Sequence, residues 1–333
     1  MKISISRARE LLRETLATSG ATDREVELFA EIRLERDLRG NTFSGFENIS
    51  EVIGQLKKSK SLSTTLTVDK PALRLVDANQ KSAVLVAFEQ IDSLVNMTTQ
   101  CGIATLGIFN STYHGSLDIY ARAIADKNLI AIVSANGGPQ GVVPFGGKQD
   151  IFGTNPIAFG IPTLSEPVVF DAATAKYAYG SIRLAKERGE TLPAESYFDK
   201  EGNLTQDPNK ARSIVPFGEH KGYAINLLLE VLTGALVRAK SGLSVKSESD
   251  LGSIMIAIDP SSFGPLDIFL KETSKLVEDI LNVEPAIGFS SVEVPGYRSS
   301  KLRKHHLDSN EIEISDNVWE DFVKTRVSIG LGA

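Results

Sequence analysis

The sequence predicts an α/β protein, because three neighbouring segments form a β–α–β unit. Residues 103–108 and 129–133 are short apolar runs typical of buried strands. The residues between them, at about 116–127, have the pattern of a helix. Another helix is predicted over 80–100, where apolar side chains recur every three to four residues. Strands that alternate with helices are typical of a sheet covered by helices.

The first 60 residues predict helices. Ser6 is expected to cap a first helix. Thr22 and Glu25 form a capping box, in which the hydroxyl and the carboxylate accept hydrogen bonds from free N–H groups at the start of a second helix. Gly40 is expected to end that helix. A third, shorter helix is predicted over residues 49–57.

The rest of the chain continues the alternation. Further apolar runs predict strands at residues 66–68, 73–76, 156–160, 168–170, 254–258 and 291–294. Helices are predicted at about 221–240, 266–281 and 315–325. No long linker is visible, so the domains are expected to be intertwined.

Composition excludes several classes of protein. The 333 residues include 36 basic and 42 acidic side chains, and the net charge of −6 argues against a general nucleic-acid binder. The single cysteine, Cys101, excludes an intramolecular disulfide and a cysteine-based zinc site. Because no apolar run of about 18 residues and no signal-peptide pattern is present, we expect a cytoplasmic protein without a transmembrane helix. Imidazole chemistry is confined to four residues, His114, His220, His305 and His306.

The common nucleotide-binding motifs are absent. No G-x-G-x-x-G follows a strand, and residues 141–148 differ from a P-loop in spacing, with Gln149 where Ser or Thr would bind magnesium. What remains are glycine-rich strand ends, at residues 110–115, 136–139, 144–147, 153–156 and 216–222. Small residues let the backbone approach a ligand, and ligands bind beyond the carboxyl ends of strands in α/β sheets. One such segment alone is typical of a turn, whereas five together indicate a binding site.

Three residues are candidates for chemistry. His114 lies where a strand passes into a helix, whose positive end favours the neutral imidazole that acid/base catalysis uses. The alternative is a packed or capping histidine. Lys221 begins a helix that its charge does not stabilise, which suggests a role in holding a phosphate, ribose or carbonyl. A solvated surface lysine is the equal alternative. Asp171 follows a strand and suits either a cofactor contact or a helix cap.

Taken in order, these segments resemble the type-2 malate/L-lactate dehydrogenase family, which includes sulfolactate and ureidoglycolate dehydrogenases and a reductase of cyclic imines. The resemblance runs from about residue 5 to 325. It implies a mixed-sheet, sulfolactate-dehydrogenase-like α/β fold, which is not a Rossmann fold, with a helical domain formed by both chain ends. The implied domains are 1–72 plus 306–333, and 73–305. It also implies NAD or NADP as cofactor and a homodimer with the site near the subunit interface.

The resemblance also implies roles for individual residues. His114 would be the acid/base, with Lys221 and Ser44 as further catalytic candidates. The cofactor would lie along Gly137, Thr154, Asn155, Asp171, Ala172, Ala173, Thr174, His220, Lys221, Pro295, Gly296 and Tyr297. The substrate would contact Ser44, Asn48, Gly146 and Gly147.

The sequence departs from the family at the substrate residues. Ser44 stands where the family has a histidine, and Asn48 stands where it has an arginine. Asparagine cannot grip a carboxylate bidentately as arginine does, so either the substrate differs from malate and lactate, other residues hold its carboxylate, or the protein has lost activity. Tyr297 stands where many relatives have an acidic residue.

Three hypotheses follow for function. The first is an NAD(P)-dependent oxidoreductase that acts on the C=O or CH–OH group of a small, specialised 2-keto or 2-hydroxy acid. The second is a reductase of a cyclic imine. The third is a catalytically impaired family member that acts as a binding or structural dimer. All three take a small molecule and neither nucleic acid nor membrane as partner, and the sequence leaves the choice between NAD and NADP open.

Overall fold

The computed structural model describes residues 1–40 and 45–332. Ser44, predicted to serve catalysis and substrate binding, lies outside the described residues. None of the helices in these two ranges combines the length and the apolar character needed to cross a lipid bilayer.

Helices and strands alternate along most of the described chain. The α-helices are α1 (Ile5–Ala17), α2 (Asp23–Leu38), α3 (Ile49–Ser59), α4 (Ala83–Cys101), α5 (Asp118–Ala125), α6 (Gly180–Arg188), α7 (His220–Glu230), α8 (Leu266–Leu281), α9 (Tyr297–Ser309) and α10 (Asp316–Ser328). The strands are β1 (Lys2–Ser4), β2 (Thr65–Lys70), β3 (Leu73–Asp77), β4 (Ile103–Ser111), β5 (Ile130–Ala135), β6 (Ile157–Ile161), β7 (Val168–Ala172), β8 (Tyr197–Phe198), β9 (Ser213–Ile214), β10 (Leu251–Ile258) and β11 (Glu311–Glu313).

The chain forms two compact units, of which the first contains both chain ends, Met1–Leu62 and Lys275–Ala333. Its β1 and β11 pair antiparallel, and α1, α2, α3, α9 and α10 make it mainly helical. Arg326 of α10 is buried and donates hydrogen bonds to Thr15 Oγ1 at 2.9 Å and to Glu14 Oε2 at 3.1 Å. These bonds tie the last helix to α1.

Two of the predicted helix starts are decided by side-chain caps. The capping box is confirmed, because Thr22 Oγ1 accepts from Glu25 N at 3.3 Å and Glu25 Oε2 accepts from Thr22 N at 2.9 Å. The prediction that Ser6 caps α1 is wrong. Ser4 is the cap, and its Oγ accepts from Arg7 N. Both serines precede the apolar face, and only the backbone geometry distinguishes them.

The second unit, Ser63–Ser274, is built on a seven-stranded sheet with the order β2-β3-β4-β10-β5-β6-β7. β3 and β4 are parallel, and all other neighbours are antiparallel. Because β10 is antiparallel to both β4 and β5, those two strands are parallel to each other. The predicted mixed α/β fold is therefore confirmed. Side chains of α4, α5 and the sheet form its core, among them Leu94, Leu106, Tyr120, Val133 and Met255.

The single helix predicted over 221–240 is wrong in its second half. α7 ends at Glu230, and Val231–Ala235 form a π-helical turn in which Leu236 N donates to Val231 O at 2.9 Å. The side-chain period does not distinguish an α turn from a π turn, since packing decides which carbonyl each N–H reaches. Such turns are frequent at functional sites.

The strand predicted at 291–294 is also wrong. No strand lies between α8 and α9, a stretch that the structure describes in full. Val292 and Val294 alternate as in a strand, and Val294 is buried. A strand needs a neighbouring strand for its backbone hydrogen bonds, and the sequence pattern alone does not provide one.

The contact between α5 and β6 gives a prediction with a matched control. A Cβ on Gly160 would lie 2.4 Å from Ala121 O, so Gly160→Ala is expected to lower the free energy of unfolding by about 1–3 kcal/mol. Gly54, inside α3, has no atom within 4 Å of its Cβ position, so Gly54→Ala is expected to raise it by about 0.5–1 kcal/mol. Thermal unfolding of both variants measures the difference. Stabilisation by Gly160→Ala would contradict the packing of α5 on β6.

Candidate active site

The ends of five strands lie side by side along one edge of the seven-stranded sheet. Ser111 of β4 pairs with Leu251 of β10, and Ile157 of β6 pairs with Ala172 of β7. Between them β5 ends at Ala135, with neighbouring strands about 4.8 Å apart. This edge brings together, at or just beyond the strand ends, His114, Gly137, Thr154, Asn155, Asp171, Ala172, Ala173 and Thr174.

His114 follows β4, and its side chain is only 2% exposed. Its Nε2 lies 3.4 Å from Ser111 Oγ, which lies 3.1 Å from Leu251 O. Because a carbonyl can only accept, the single proton of Ser111 goes to Leu251 and Ser111 accepts from Nε2–H. This assigns the ring proton to Nε2. Nδ1 is then an acceptor, and it is buried without a partner among the described residues.

The electrostatics of His114 favour the neutral ring. Burial lowers the pKa of His114 to about 3, because the imidazolium loses its hydration. From the sequence, the neutral imidazole was expected from a helix dipole, whereas in the structure burial of the ring is the cause. Tyr120 donates its hydroxyl to His114 O at 2.7 Å and so holds the backbone at this position. A neutral ring with an open acceptor can take a proton from a hydroxyl.

The turns beyond β5, β6 and β7 are joined by hydrogen bonds. Gly137 N donates to Asn155 Oδ1 at 2.9 Å, and a Cβ on Gly137 would lie 2.4 Å from Thr154 Oγ1, so the position requires glycine. Thr174 donates its hydroxyl to the carbonyl oxygens of Thr154 and Asn155, both at 3.0 Å. Four of the predicted cofactor residues therefore form one contiguous group.

Asp171 contacts the start of α5. Its Oδ2 accepts from Ser116 Oγ at 2.7 Å, from Leu117 N at 2.8 Å and from Asp118 N at 3.3 Å. Burial raises the pKa of Asp171, and these hydrogen bonds act against that shift. Of the two roles that the sequence left open, these bonds belong to the helix cap. The predicted cofactor contact stays a prediction.

The start of α7 presents two predicted cofactor residues, His220 and Lys221, both exposed. Glu219 directly precedes them and has backbone angles φ 56° and ψ −124°, a conformation that residues other than glycine rarely adopt. Gly222 is required for packing, because a Cβ there would lie 1.8 Å from Phe217 O. Strained backbone of this kind is concentrated at binding sites.

The predicted substrate residues of the second unit lie beside α7. The Phe145 ring contacts the His220 ring edge-on, with centroids 5.8 Å apart. This contact brings the adjacent Gly146 and Gly147 to the start of the helix. Gly146 has φ 81° and open space at its Cβ position, whereas a Cβ on Gly147 would lie 2.7 Å from Pro144 Cγ.

The remaining predicted residues belong to the first unit. Asn48 directly precedes α3 with φ 54°, and its side chain makes no capping hydrogen bond. Pro295 is exposed, and Gly296 precedes α9 with φ 79°. Tyr297 begins α9, and Lys301 Nζ lies 4.3 Å from the centroid of its ring.

Three buried polar residues beside the cofactor group were not predicted as site residues, namely Asn136, Asn226 and Glu230. Glu230 Oε2 accepts from Asn155 Nδ2 at 2.5 Å, so the new residues contact a predicted one. A signal was present in the sequence. Asn226 and Glu230 are four residues apart, so they share one face of a helix that is otherwise largely apolar between them.

Comparison with known proteins assigns the family. The sequence profile described as malate/L-lactate dehydrogenase matches residues 3–323. The chain belongs to the malate/L-lactate dehydrogenase family. The predicted family and enzyme class, a dehydrogenase, are thereby confirmed.

Curated members of the malate/L-lactate dehydrogenase family cover almost the whole chain. The malate/(S)-sulfolactate dehydrogenase of Methanothermus fervidus is 31% identical over 94% of each chain. An Escherichia coli O157:H7 relative named ureidoglycolate dehydrogenase (NAD+) is 27% identical over 96% of this chain and 94% of its own. A Chromohalobacter salexigens relative named (2R)-3-sulfolactate dehydrogenase (NADP+) is 28% identical over 93% and 94%. These names agree with the predicted cofactor class, NAD or NADP, without a choice between them.

Solved structures of a dehydrogenase and of a reductase have the same fold. The sulfolactate dehydrogenase of Methanocaldococcus jannaschii superposes with a TM-score of 0.88 at 26% identity, over 100% of this chain and 98% of that one. The Δ1-piperideine-2-carboxylate reductase of Pseudomonas syringae pv. tomato superposes with a TM-score of 0.83, also at 26% identity, over 98% and 99%.

The buried histidine of this malate/L-lactate dehydrogenase family member predicts acid sensitivity. Below the ordinary pKa of 6.5 the histidine binds a proton in the unfolded chain but stays neutral in the folded protein. The free energy of unfolding therefore decreases as the pH is lowered from 6.5 to about 3. At pH 5 the loss is about 2 kcal/mol relative to pH 8. The variant His114→Gln lacks this term, so urea unfolding should show a smaller loss than in the wild type. In the control, exposed His305→Gln, the loss should remain, and equal losses in both variants would contradict burial as the cause.

Proposed function

We propose that the protein is an NAD(P)-dependent oxidoreductase that acts on the C=O or CH–OH group of a small, specialised 2-keto or 2-hydroxy acid, with His114 as the acid/base. The observation that carries the proposal is the Nδ1 atom of His114, a buried acceptor without a partner among the described residues. It lies at the sheet edge that also holds the glycine-rich turns. Family membership supports the reaction class.

The residues at this edge fit a dinucleotide. Gly115, Gly138 and Gly146 have open space at their Cβ positions, so a ligand can approach the backbone there. Lys221 places an exposed ammonium at the first turn of α7, where backbone N–H groups also favour an anion such as a pyrophosphate. Gly137, Thr154, Asn155 and the segment 171–174 would lie along the cofactor. Pro295, Gly296 and Tyr297 stay predicted cofactor residues.

In this mechanism the bound nicotinamide supplies the hydride chemistry, and the chain supplies binding and the proton. In the oxidative direction His114 Nδ1 accepts the proton of the substrate hydroxyl, and in the reductive direction it returns that proton to the oxygen. Ser111 keeps Nε2 protonated, which leaves the lone pair of Nδ1 to accept that proton. A substrate carboxylate bound nearby would raise the low pKa of His114 toward neutrality, because the opposite charge stabilises the imidazolium.

The substrate is expected to differ from malate and lactate. Asn48 stands where the family arginine would fork onto a carboxylate, and an amide offers only neutral hydrogen bonds. A neutral polar group at that end of the substrate suits asparagine. Gly146, Gly147 and Ser44 are the other proposed substrate contacts.

A second candidate function is the reduction of a cyclic imine. The specific observation in its favour is the likeness to the Δ1-piperideine-2-carboxylate reductase. A C=N substrate needs the same hydride transfer, with a different polar shell around the reacting group. Assays with keto acids alone, with keto acids plus an amine and with preformed cyclic imines, each with NADH and NADPH, separate the two functions.

The role of His114 is tested by His114→Gln. We expect turnover to fall by about 100-fold or more, because general acid/base catalysis contributes about 100- to 10,000-fold. Binding of NADH or NADPH, followed by cofactor fluorescence, should change less than about 3-fold, since the proton step is not part of cofactor binding. His305→Gln serves as control.

Unchanged turnover in His114→Gln would refute the acid/base assignment. Wild-type protein that binds the cofactor but turns over no substrate in the full panel would instead favour the catalytically impaired dimer.

We also propose a homodimer and a cytoplasmic location. The face of α7 and of the π turn after it exposes Leu227, Leu228, Val231 and Leu236, each between 44% and 58%. An apolar helix face of this kind is best covered by the same face of a second copy, as in a two-fold dimer. The location is supported by Cys101, a free and exposed thiol that suits a reducing compartment.

The dimer proposal predicts the effect of a charge on this face. Leu228→Asp should shift the mass measured by light scattering after size exclusion from two chains toward one, because an unpaired carboxylate would be buried in the interface. Leu164→Asp, at an equally exposed leucine in the loop between β6 and β7, should remain dimeric. A monomeric wild type would refute the proposal.

A further inference from the structure

A buried carboxylate lies beside the predicted cofactor group. Glu230, the last residue of α7, is 4% exposed. Its Oε1 accepts from Gly242 N at 2.6 Å and from Asn136 Nδ2 at 3.3 Å, and its Oε2 accepts from Asn155 Nδ2 at 2.5 Å. No ion pair of Glu230 with a cationic side chain is found among the described residues. Burying a carboxylate costs desolvation free energy, and neutral donors offset that cost less than a cation would. The carboxylate at this position therefore points to a role beyond packing.

The carboxylate fixes which way the neighbouring amides face. Because both oxygens of Glu230 can only accept, Asn136 and Asn155 must turn their NH2 groups toward it. Their own oxygens then face the turns. Asn136 Oδ1 accepts from Gly138 N at 3.0 Å, and Asn155 Oδ1 accepts from Gly137 N at 2.9 Å.

The same network also holds the turn before β6. Asn155 Nδ2 donates to Asn226 Oδ1 at 2.7 Å, and Asn226 Nδ2 donates to Gly153 O at 3.3 Å. Asn155 adopts φ 32°, an unfavourable value for a residue with a side chain. Its hydrogen bonds stabilise that conformation. Two turns that are 15 residues apart in sequence are therefore oriented by one helix side chain.

We propose that Glu230 is a positioning residue for the dinucleotide. Its carboxylate determines the direction of the hydrogen bonds in the amide network, meaning which end of each amide donates. That network holds the Gly137–Gly138 and Gly153–Asn155 turns in the conformation that receives the cofactor. The proposal rests on the proposed function, since it assigns the turns to NAD(P). Glu230 acts through Asn136 and Asn155 and does not itself contact the reacting atoms.

The variant Glu230→Gln tests the polarity argument. A glutamine can keep Oε1 on Asn136 and Gly242, but its NH2 group then faces the NH2 group of Asn155. If Asn155 flips, its NH2 group faces Gly137 N–H instead. One donor is left unpaired in either case, so we expect at least a 10-fold rise in the Kd for NADH or NADPH, measured by cofactor fluorescence. The control Glu187→Gln, on the exposed face of α6, should bind as the wild type does.

A double variant restores the direction of the hydrogen bond between positions 155 and 230. Asn155→Asp alone sets two carboxylates against each other and should also weaken cofactor binding at least 10-fold. In the double variant Asn155→Asp/Glu230→Gln, the glutamine NH2 group donates to Asp at position 155, which still accepts from Gly137 N. Asn226 must then turn its NH2 group toward position 155 and gives up its bond to Gly153 O, so the rescue is incomplete. We expect the Kd of the double variant to lie at least 3-fold below that of either single variant. A role in packing alone would give additive losses instead of this rescue.

Amide hydrogen exchange of the cofactor-free protein gives a readout that does not depend on binding. Exchange at Gly137 should rise at least 10-fold in Glu230→Gln, where Asn155 flips away from it, and fall back in the double variant, whereas exchange at Gly138 and Gly242, which keep their acceptors, should change little. Wild-type Kd in folded Glu230→Gln, or additive losses in the double variant, would overturn the positioning role. Failure of the wild type to bind either dinucleotide would overturn the proposed function, and unchanged exchange in Glu230→Gln would overturn the network's hold on the turns.

Discussion

The insertion of β10 between β4 and β5 is the constraint on which the site depends. β10 follows β5 by more than 100 residues and runs antiparallel to both neighbours. The two strands of the predicted β–α–β unit are thereby separated but stay parallel, so both end at the same edge. Ser111 bonds to Leu251 of β10, and Asn136 N donates to Gly252 O. The start of β10 therefore links the segment 111–114, which ends at His114, to the segment 136–138, which contains Gly137.

Burial gives this edge its chemistry. His114 is neutral because the protein around it replaces water, and Ser111 decides which nitrogen carries the proton. Glu230 lies buried on the far side of the glycine turns, where three donors satisfy it. Low dielectric surroundings strengthen each of these hydrogen bonds and make any unpaired group costly. An unpartnered Nδ1 in such surroundings is best explained by a ligand that completes it.

The proposed acid/base and most of the proposed cofactor residues follow the family pattern, whereas Asn48 and Tyr297 depart from it. The sheet edge keeps the histidine, the glycine turns and the lysine of α7. The first unit carries Asn48 in place of the family arginine, directly before α3. In the proposed function, this pattern retains the acid/base and most cofactor contacts and changes the group that would select the substrate. It is consistent with a family whose named members act on several different small acids.

The sequence by itself determined the α/β class, the family, the capping box at Thr22 and the glycine turns, because these depend on local chemistry: period, caps and residues that tolerate positive φ. Only the tertiary structure decided the place of β10, the burial that sets the pKa of His114 and the hub at Glu230. Each depends on contacts between segments that are far apart in the sequence. Neither the pairing partner of a strand nor the burial of a carboxylate is encoded in a short sequence pattern. The errors at 291–294 and in the helix over 221–240 have the same origin, since packing selects the hydrogen-bond partners that a side-chain pattern leaves open.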